Sequence, residues 1–134
     1  MITDLLKFLN KEKPILITGT TASGKSRLAV AIAEKLGGKI VNADSMQVYN
    51  CWNILSARPS KKYLNSVPHV LFGHINFAKH YSTGHWLREI KALLKEPYRP
   101  IIVGGTGMYF NALLNGLVNI PEISKKTKQI ANEL

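Results

Sequence analysis

A glycine-rich run with the sequence GTTASGKS occupies residues 19–26 and carries the residue types that bind phosphate. It fits the pattern G-x-x-x-x-G-K-[ST] without a mismatch and follows the apolar residues 14–17. In this pattern the backbone N–H groups turn toward phosphate oxygens, the lysine supplies charge, and the last hydroxyl ligates magnesium. The pattern leaves open whether the phosphate belongs to a nucleotide or to another diphosphate ester. The predicted binding residues are Gly19, Thr20, Thr21, Ala22, Ser23, Gly24, Lys25 and Ser26, with Ser26 as the magnesium ligand.

Two further segments each follow a predicted strand. Residues 44–49 (DSMQVY) follow the run 39–43, and residues 104–109 (GGTGMY) follow the very apolar run 100–103. In open α/β sheets, ligands bind beyond the carboxyl ends of the strands. We therefore expect both segments to meet the glycine-rich run at one crevice.

Asp44 is the acidic residue of this predicted crevice, and three interpretations are open for it. It could support a magnesium ion, act as a general base on an acceptor, or cap the turn that follows it. The general base is favoured because Ser45 and Gln47 are neutral hydrogen-bonding groups suited to a polar, planar acceptor. Thr106 lies among glycines that permit close backbone approach, so it could bind a phosphate oxygen or a ribose.

The alternation of apolar runs with helical periodicity predicts a parallel α/β sheet with flanking helices. The predicted strands are 14–18, 39–43, 100–103 and one around 69–73, and the predicted helices are 2–10, 25–36, 84–95 and 107–116. Helical spacing near the end also predicts an apolar edge formed by Ile123, Thr127, Ile130 and Leu134. Because a parallel sheet needs helices on both faces, this edge indicates an incomplete sheet that expects a partner surface.

The composition predicts one domain over residues 1–134, with a modest core from the 46% of residues that are apolar. A formal net charge of +10 favours a polyanionic partner, and it favours nucleic acid over a membrane. The single cysteine, Cys51, excludes an intrachain disulfide, fits a reducing compartment and is interpreted as a small packed hydrophobe. Without a signal peptide or a run of membrane-spanning length, we expect a cytoplasmic protein. The absence of a metal-ligand cluster argues against zinc.

The aromatic and histidine residues give weaker signals. Only Tyr49 and Tyr109 are expected near the crevice, because the other aromatic residues are more typical of a core or a pocket wall. The four histidines lack the spacing of metal ligands and are expected to be solvated or hydrogen-bonded, with His69 nearest the crevice.

Together, three segments resemble one family, the tRNA dimethylallyltransferases, also called tRNA isopentenyltransferases. Residues 19–26 resemble the family pattern G-x-T-A-[ST]-G-K-[ST], and residues 42–49 (NADSMQVY) resemble [NS]-A-D-S-M-Q-V-Y. Residues 103–109 (VGGTGMY) resemble V-G-G-T-G-L-Y. Order and spacing agree, and the resemblance extends over nearly the whole chain with a P-loop NTPase-like fold.

The resemblance implies transfer of a dimethylallyl group from dimethylallyl diphosphate to the N6 amine of the adenosine 3′-adjacent to the anticodon in tRNA. It makes Asp44 the general base and adds Lys25 and Thr106 to the catalytic residues, while the phosphate loop and Mg2+ hold the diphosphate. The residues that it places against the tRNA anticodon loop are Asp44, Ser45, Met46, Gln47, Thr106 and Lys128.

Members of this family continue well beyond 134 residues. The resemblance therefore implies that the chain is the N-terminal portion of a catalytic core and that the helical tRNA-binding insertion is absent. Whether such a portion is active alone stays open, and a separately encoded C-terminal part is a further expected partner.

Two other functions remain as alternatives. A small P-loop kinase would use the same loop for ATP, but the strand 100–103 ends in Gly-Gly-Thr where many nucleotide hydrolases place a magnesium-binding aspartate. A non-catalytic remnant that binds diphosphate or RNA is the second alternative.

Overall fold

The apolar runs of the sequence form the strands of a parallel sheet. A computed structural model describes residues 2–10, 12–52, 54–119, 121 and 123–133 of the chain. The strands are β1 (Ile15–Thr18), β2 (Lys39–Asn42), β3 (His69–Val70) and β4 (Pro100–Gly104). The helices are α1 (Ile2–Phe8), α2 (Lys25–Leu36), α3 (Lys61–Ser66), α4 (Thr83–Leu93), α5 (Gly107–Asn115) and α6 (Lys125–Asn132). The predicted α/β fold class is confirmed.

β4 is the central strand, because the sheet order is β1-β4-β2-β3 and every pairing is parallel. Ile101 of β4 lies between Ile15 of β1 and Ile40 of β2. All five residues of β4 are buried, which explains a continuous apolar run without alternation. The first two strands of the chain are therefore separated in space by the last one.

Helices cover both faces of the sheet and divide the core in two. On one face α2 packs on Ile101 and Val103, and on the other face α4 and α5 pack on Ile102. This division follows from the two-residue period of a strand, which sends successive side chains to opposite faces. Trp86 of α4 is completely buried in the second cluster.

The structure shortens the strand predicted around residues 69–73. β3 ends at Val70 because Leu71 (φ 63°) and Gly73 (φ 57°) adopt left-handed backbone conformations that no strand continues. The short helix α3 was not predicted, since the sequence before it is polar and lacks a clear helical period. The interpretation of Cys51 as a packed residue is wrong: its side chain is exposed in the irregular segment between β2 and α3.

The predicted apolar edge near the end corresponds to α6. Ile123, just before the helix, and Ile130 within it are both exposed, and Ser124 caps the helix by accepting a hydrogen bond from the backbone N–H of Thr127. Leu134 lies outside the described residues. In the part of the chain that the structure describes, no helix is long and apolar enough to cross a membrane.

Gly104 brings the carboxyl ends of β2 and β4 into contact. A Cβ atom at Gly104 would lie 2.1 Å from the carbonyl oxygen of Ala43, so only glycine fits between the two backbones. The backbone N–H of Thr106 donates to the same carbonyl over 3.2 Å. The two segments that were expected to meet are therefore joined directly.

We predict that Gly104→Ala lowers the free energy of unfolding by about 1–3 kcal/mol, because the methyl group must displace backbone atoms. Urea denaturation followed by circular dichroism measures the change. Gly107→Ala is the matched control, because a Cβ atom there meets nothing within 4 Å. Its effect should stay within about 0.5 kcal/mol. Equal effects of the two substitutions would contradict the steric explanation.

Candidate active site

The glycine-rich run forms the loop between β1 and α2. Ala22 (φ 62°) and Gly24 (φ 84°) take left-handed backbone conformations, and Gly24 is the N-cap residue of α2. No side chain caps this helix end. The N–H groups of the first helical turn and the positive end of the helix dipole are therefore available to an anion.

Lys25 begins α2 and folds back over the loop. Its Nζ donates a hydrogen bond to the carbonyl oxygen of Thr20 over 2.6 Å. The ammonium group thus lies against the loop in which a phosphate would sit, and its positive charge is held there by the protein itself.

A cavity of about 420 Å³ lies beyond the carboxyl ends of the strands. The structure brings all three predicted segments to it, as expected from the sequence. From these segments its lining includes Thr21, Ala22, Ser23, Gly24, Lys25, Ser26, Asp44, Gln47, Gly104 and Gly105. A further part of the lining was not predicted, and we call it the opposite wall. It is formed by Ser56, Ala57, Pro59, Ser60 and Phe72.

Asp44 lines this cavity across from the phosphate loop and also caps its own turn. Its Oδ1 accepts a hydrogen bond of 2.9 Å from the backbone N–H of Met46. The interpretation of Asp44 as a turn cap is therefore correct. This hydrogen bond is compatible with the interpretation of Asp44 as a general base. A carboxylate that is fixed by one oxygen has a defined orientation toward the cavity.

Asn42 fixes the backbone of Asp44 and was not singled out by sequence reasoning. Its side chain is completely buried, and its Nδ2 donates to the carbonyl oxygens of Asp44 (2.9 Å) and Leu71 (3.0 Å). Its Oδ1 accepts from the backbone N–H of Asp44 over 2.9 Å. Trp86 donates its Nε1 hydrogen to the carbonyl oxygen of Asn42 over 2.7 Å. The available signal was a polar residue at the end of an apolar strand.

Thr106 and Ser45 connect the loop after β4 to the turn after β2. The backbone N–H of Ser45 donates to Thr106 Oγ1 over 2.9 Å, and the two hydroxyls lie 3.3 Å apart. Neither residue is among the described residues that line the cavity. Their observed contacts position the turn that carries Asp44.

The remaining predicted site residues are not among the described residues that line the cavity. Gly19 and Thr20 belong to the phosphate loop, but they are not among the described residues that line the cavity. Met46 is half-exposed on the turn, and Lys128 lies exposed on α6. His69 also lies outside the cavity lining, with its Nδ1 2.7 Å from the carbonyl oxygen of Val67.

Gln47 and Arg58 hold the opposite wall in place. Gln47 lines the cavity and donates from Nε2 to the carbonyl oxygen of Ser56 over 2.9 Å. Arg58 donates from Nη1 to the carbonyl oxygen of Tyr49 over 3.3 Å, and its guanidinium fills the space that a Cβ atom at Gly73 would need. Both contacts join residues nine positions apart, so local periodicity gave no signal for them.

An aromatic stack supports the floor of the site. Trp86 and Tyr109 stack with ring centroids 4.4 Å apart. Burial raises the pKa of Tyr109 to about 12, and the nearby Tyr49, Asp44 and Glu89 add to this shift. Tyr109 is therefore neutral at physiological pH. It is a core residue that lies near Asp44, as expected from the sequence.

A phosphate loop between β1 and α2, sharing a cavity with a carboxylate that follows β2, defines a P-loop-type α/β protein. The family model described as IPP transferase matches residues 47–134, and the model described as isopentenyl transferase matches residues 13–76. The chain belongs to the IPP transferase family, and the resemblance noted in the sequence is confirmed.

Curated relatives agree with this family. The chain is 53% identical over 121 residues to a tRNA dimethylallyltransferase of Cereibacter sphaeroides (strain KD131), covering 90% of this chain and 38% of that relative. It is 56% identical over 110 residues to a tRNA dimethylallyltransferase of Roseobacter denitrificans, covering 82% and 39%. The chain thus spans about two fifths of the length of these relatives.

Solved structures share the fold. The full-length tRNA isopentenylpyrophosphate transferase of Bacillus halodurans superposes with a TM-score of 0.77 at 28% identity, covering 91% of this chain and 42% of that one. A eukaryotic dimethylallyltransferase acting on tRNA gives a TM-score of 0.77 at 30% identity, covering 88% and 31%. The P-loop NTPase-like fold class predicted from the sequence is confirmed.

We predict that Asn42→Ala lowers the free energy of unfolding by about 1–3 kcal/mol or more, because it leaves buried backbone groups of Asp44 and Leu71 without partners. Asn115→Ala is the matched control, since its exposed side chain bonds only within α5 among the described residues. Urea denaturation measures both variants. A loss at Asn42 no larger than at Asn115 would contradict the positioning role.

Proposed function

We propose that this chain forms the diphosphate- and acceptor-binding part of a tRNA dimethylallyltransferase. The reaction transfers a dimethylallyl group from dimethylallyl diphosphate to the N6 amine of the adenosine 3′-adjacent to the anticodon. The observation that carries the proposal is that the phosphate loop and Asp44, which follow the two strands on either side of β4, line one cavity. The names of the relatives and the net charge of +10, which suits tRNA, support it.

The phosphate loop would stabilise the leaving diphosphate. As the bond between the allylic carbon and the diphosphate oxygen breaks, negative charge grows on the diphosphate. The N–H groups at the start of α2 and the Lys25 ammonium, which is held against the loop by its hydrogen bond to Thr20, would face this charge. Such preorganised donors lower the barrier, because they need not reorganise during the reaction.

Magnesium fits this arrangement through the Ser26 hydroxyl. Ser26 lies in the first turn of α2 and lines the cavity. Mg2+ in phosphate sites takes few protein ligands and completes its shell with phosphate oxygens and water, so one hydroxyl beside the loop is a sufficient anchor. When bound, Mg2+ would neutralise diphosphate charge. In the described residues, no group of three or more histidine, cysteine, aspartate or glutamate side chains is placed to hold a metal ion.

Asp44 would act on the acceptor. The N6 nitrogen forms a bond to the allylic carbon, the diphosphate leaves with the electrons of the broken bond, and Asp44 accepts the N6 proton. The amine is a weak nucleophile, so a positioned base contributes substantially. Asn42 and the N–H of Met46 orient Asp44, while Gln47 offers an amide at the same cavity.

A kinase that uses ATP is disfavoured by the residues at the end of β4, which also line the cavity. β4 presents Gly104 and Gly105 there, with no carboxylate to hold a nucleotide-bound magnesium ion. The glycines instead leave room for the backbone to approach a ligand closely.

We predict that Lys25→Met weakens the binding of dimethylallyl diphosphate in the presence of Mg2+ by about tenfold to a hundredfold, because a charged hydrogen bond is lost. Isothermal titration calorimetry measures the affinity. Lys35→Met is the matched control, since Lys35 is exposed in the last turn of the same helix. Similar losses in both variants would contradict a specific role of Lys25.

We predict that Asp44→Asn lowers transfer of labelled dimethylallyl from the diphosphate to unmodified tRNA by about 10²–10⁴-fold, the usual contribution of a general base. Asparagine keeps an oxygen for the N–H of Met46, so the turn should survive. The assay compares the chain alone with the chain supplied with the C-terminal part of the Cereibacter relative. Asp4→Asn on the exposed surface of α1 is the control. Full transfer by Asp44→Asn would contradict the base assignment.

A further inference from the structure

A second cavity, of about 300 Å³, carries an excess of positive charge outside the site described above. We propose that it binds a phosphodiester group of the RNA backbone next to the acceptor adenosine. The proposal rests on the proposed function, because it takes the acceptor to be RNA. We call it the basic cavity and define it by Lys79, His80, His85 and Arg88, which line it together with Ile75, Tyr81 and Glu89.

The positive charges of the basic cavity are not neutralised within the described residues. Lys79 and Arg88 are exposed, and their side chains form no ion pair or hydrogen bond with any described residue. The one carboxylate in the lining, Glu89, is already engaged: it accepts a hydrogen bond from the Tyr81 hydroxyl and lies 3.2 Å from His74 Nε2. With the histidines counted as neutral, Lys79, Arg88 and the Glu89 carboxylate leave the lining a net charge of +1, and neither cation is held in an ion pair with a described residue.

His85 adds an oriented hydrogen-bond donor. The backbone N–H of Ser82 donates to His85 Nδ1 over 3.3 Å, in the capping box at the start of α4. The Ser82 hydroxyl lies 2.7 Å from the same nitrogen, and when Nδ1 accepts from Ser82, a neutral His85 ring carries its hydrogen on Nε2. The ring is also stacked on Tyr81 with centroids 5.9 Å apart. A fixed ring with a free donor, beside two cations, suits the oxygens of a phosphate group.

The basic cavity is linked by backbone hydrogen bonds to the segment that follows Asp44. Ile75, which lines the basic cavity, donates its backbone N–H to the carbonyl oxygen of Val48 over 3.0 Å and accepts from the N–H of Asn50 over 2.9 Å. Val48 belongs to the same turn as Asp44. One backbone pairing thus joins the basic cavity to the segment that carries Asp44 and Gln47, so an RNA strand with its base at Asp44 would have a backbone phosphate within reach of the basic cavity.

An extended polyanion fits this cavity better than a small metabolite. All four basic side chains are exposed, so they can contact a strand that passes over the surface but do not enclose a free ligand. Contacts of this kind position a nucleic acid without reading its sequence. They would fix the strand on the side from which the adenosine enters.

The test compares two doubly charge-reversed variants of the chain. Lys79→Glu/Arg88→Glu alters the basic cavity, and Lys35→Glu/Lys91→Glu alters two exposed lysines away from it, with Lys91 one turn after Arg88 on the same helix. Each double substitution lowers the formal net charge by four, from +10 to +6. The probe is a labelled anticodon stem-loop RNA with adenosine 3′ to the anticodon, and fluorescence anisotropy over a range of salt concentrations measures its affinity.

We expect Lys79→Glu/Arg88→Glu to bind the RNA at least about tenfold more weakly than the control and to reduce the slope of log K against log salt by about 0.7, as for one single-strand phosphate contact. Equal affinities and slopes for the two variants would overturn the proposal, because they would show only a general effect of charge. Loss of inorganic phosphate binding with RNA affinity unchanged would overturn it in favour of a free-anion site.

Two further measurements keep the outcome specific. Lys79→Gln/Arg88→Gln, compared with Lys35→Gln/Lys91→Gln, repeats the test without reversed charge if the glutamate variant does not fold. The affinity for dimethylallyl diphosphate should equal that of the unaltered chain in all four variants. Failure of the unaltered chain to bind dimethylallyl diphosphate would count against the proposed function, whereas an unchanged RNA affinity at the basic cavity counts against this inference alone.

Discussion

The buried side-chain amide of Asn42 is the contact on which the acceptor side of the site depends. It joins the end of β2, the turn that carries Asp44 and the exit from β3 through Leu71. Hydrogen bonds in a low-dielectric interior are costly to leave unmade, so these three segments keep one relative position. The phosphate loop depends much less on this contact, because its shape comes from its own backbone and the start of α2.

The contact between Gly104 and Ala43 then relates the two halves of the site to each other. β4 pairs with β1, which leads into the phosphate loop, and with β2, which leads into the Asp44 turn. Its terminal glycine allows the loop carrying Thr106 to bond directly to that turn. The separation between the phosphate loop and the Asp44 turn is thus set by β4, which lies between β1 and β2 and lines the cavity with Val103 and Gly104.

The parts of the structure that could be predicted from the sequence are those with local causes. Continuous apolar runs indicated all four strands, and the phosphate loop was recognisable because its conformation requires particular residues in sequence. The position of β4 between β1 and β2 was not predictable, since periodicity reports burial and not neighbours. Cys51 was misplaced for the same reason, because composition does not show which segments run over the surface.

The unpredicted parts of the site are contacts between distant residues. Asn42 and Leu71 are 29 positions apart, and the links from Gln47 to Ser56 and from Arg58 to Tyr49 depend on how an irregular segment folds back. No local pattern encodes such a return of the chain. The resemblance to a family supplied the identities of the residues around Asp44, but their supporting contacts became visible only in three dimensions.

The wall opposite the phosphate loop has a mechanical consequence. Individual hydrogen bonds from Gln47 and Arg58 attach it, whereas a parallel sheet and a helix support the loop across the cavity. Ala57 in this wall has a left-handed backbone conformation (φ 49°), which stores some strain. One side of the cavity therefore rests on the packed core, whereas the other depends on a few hydrogen bonds between side chains and carbonyl oxygens. A ligand held by its charged end at the phosphate loop would meet the less supported wall with its organic end.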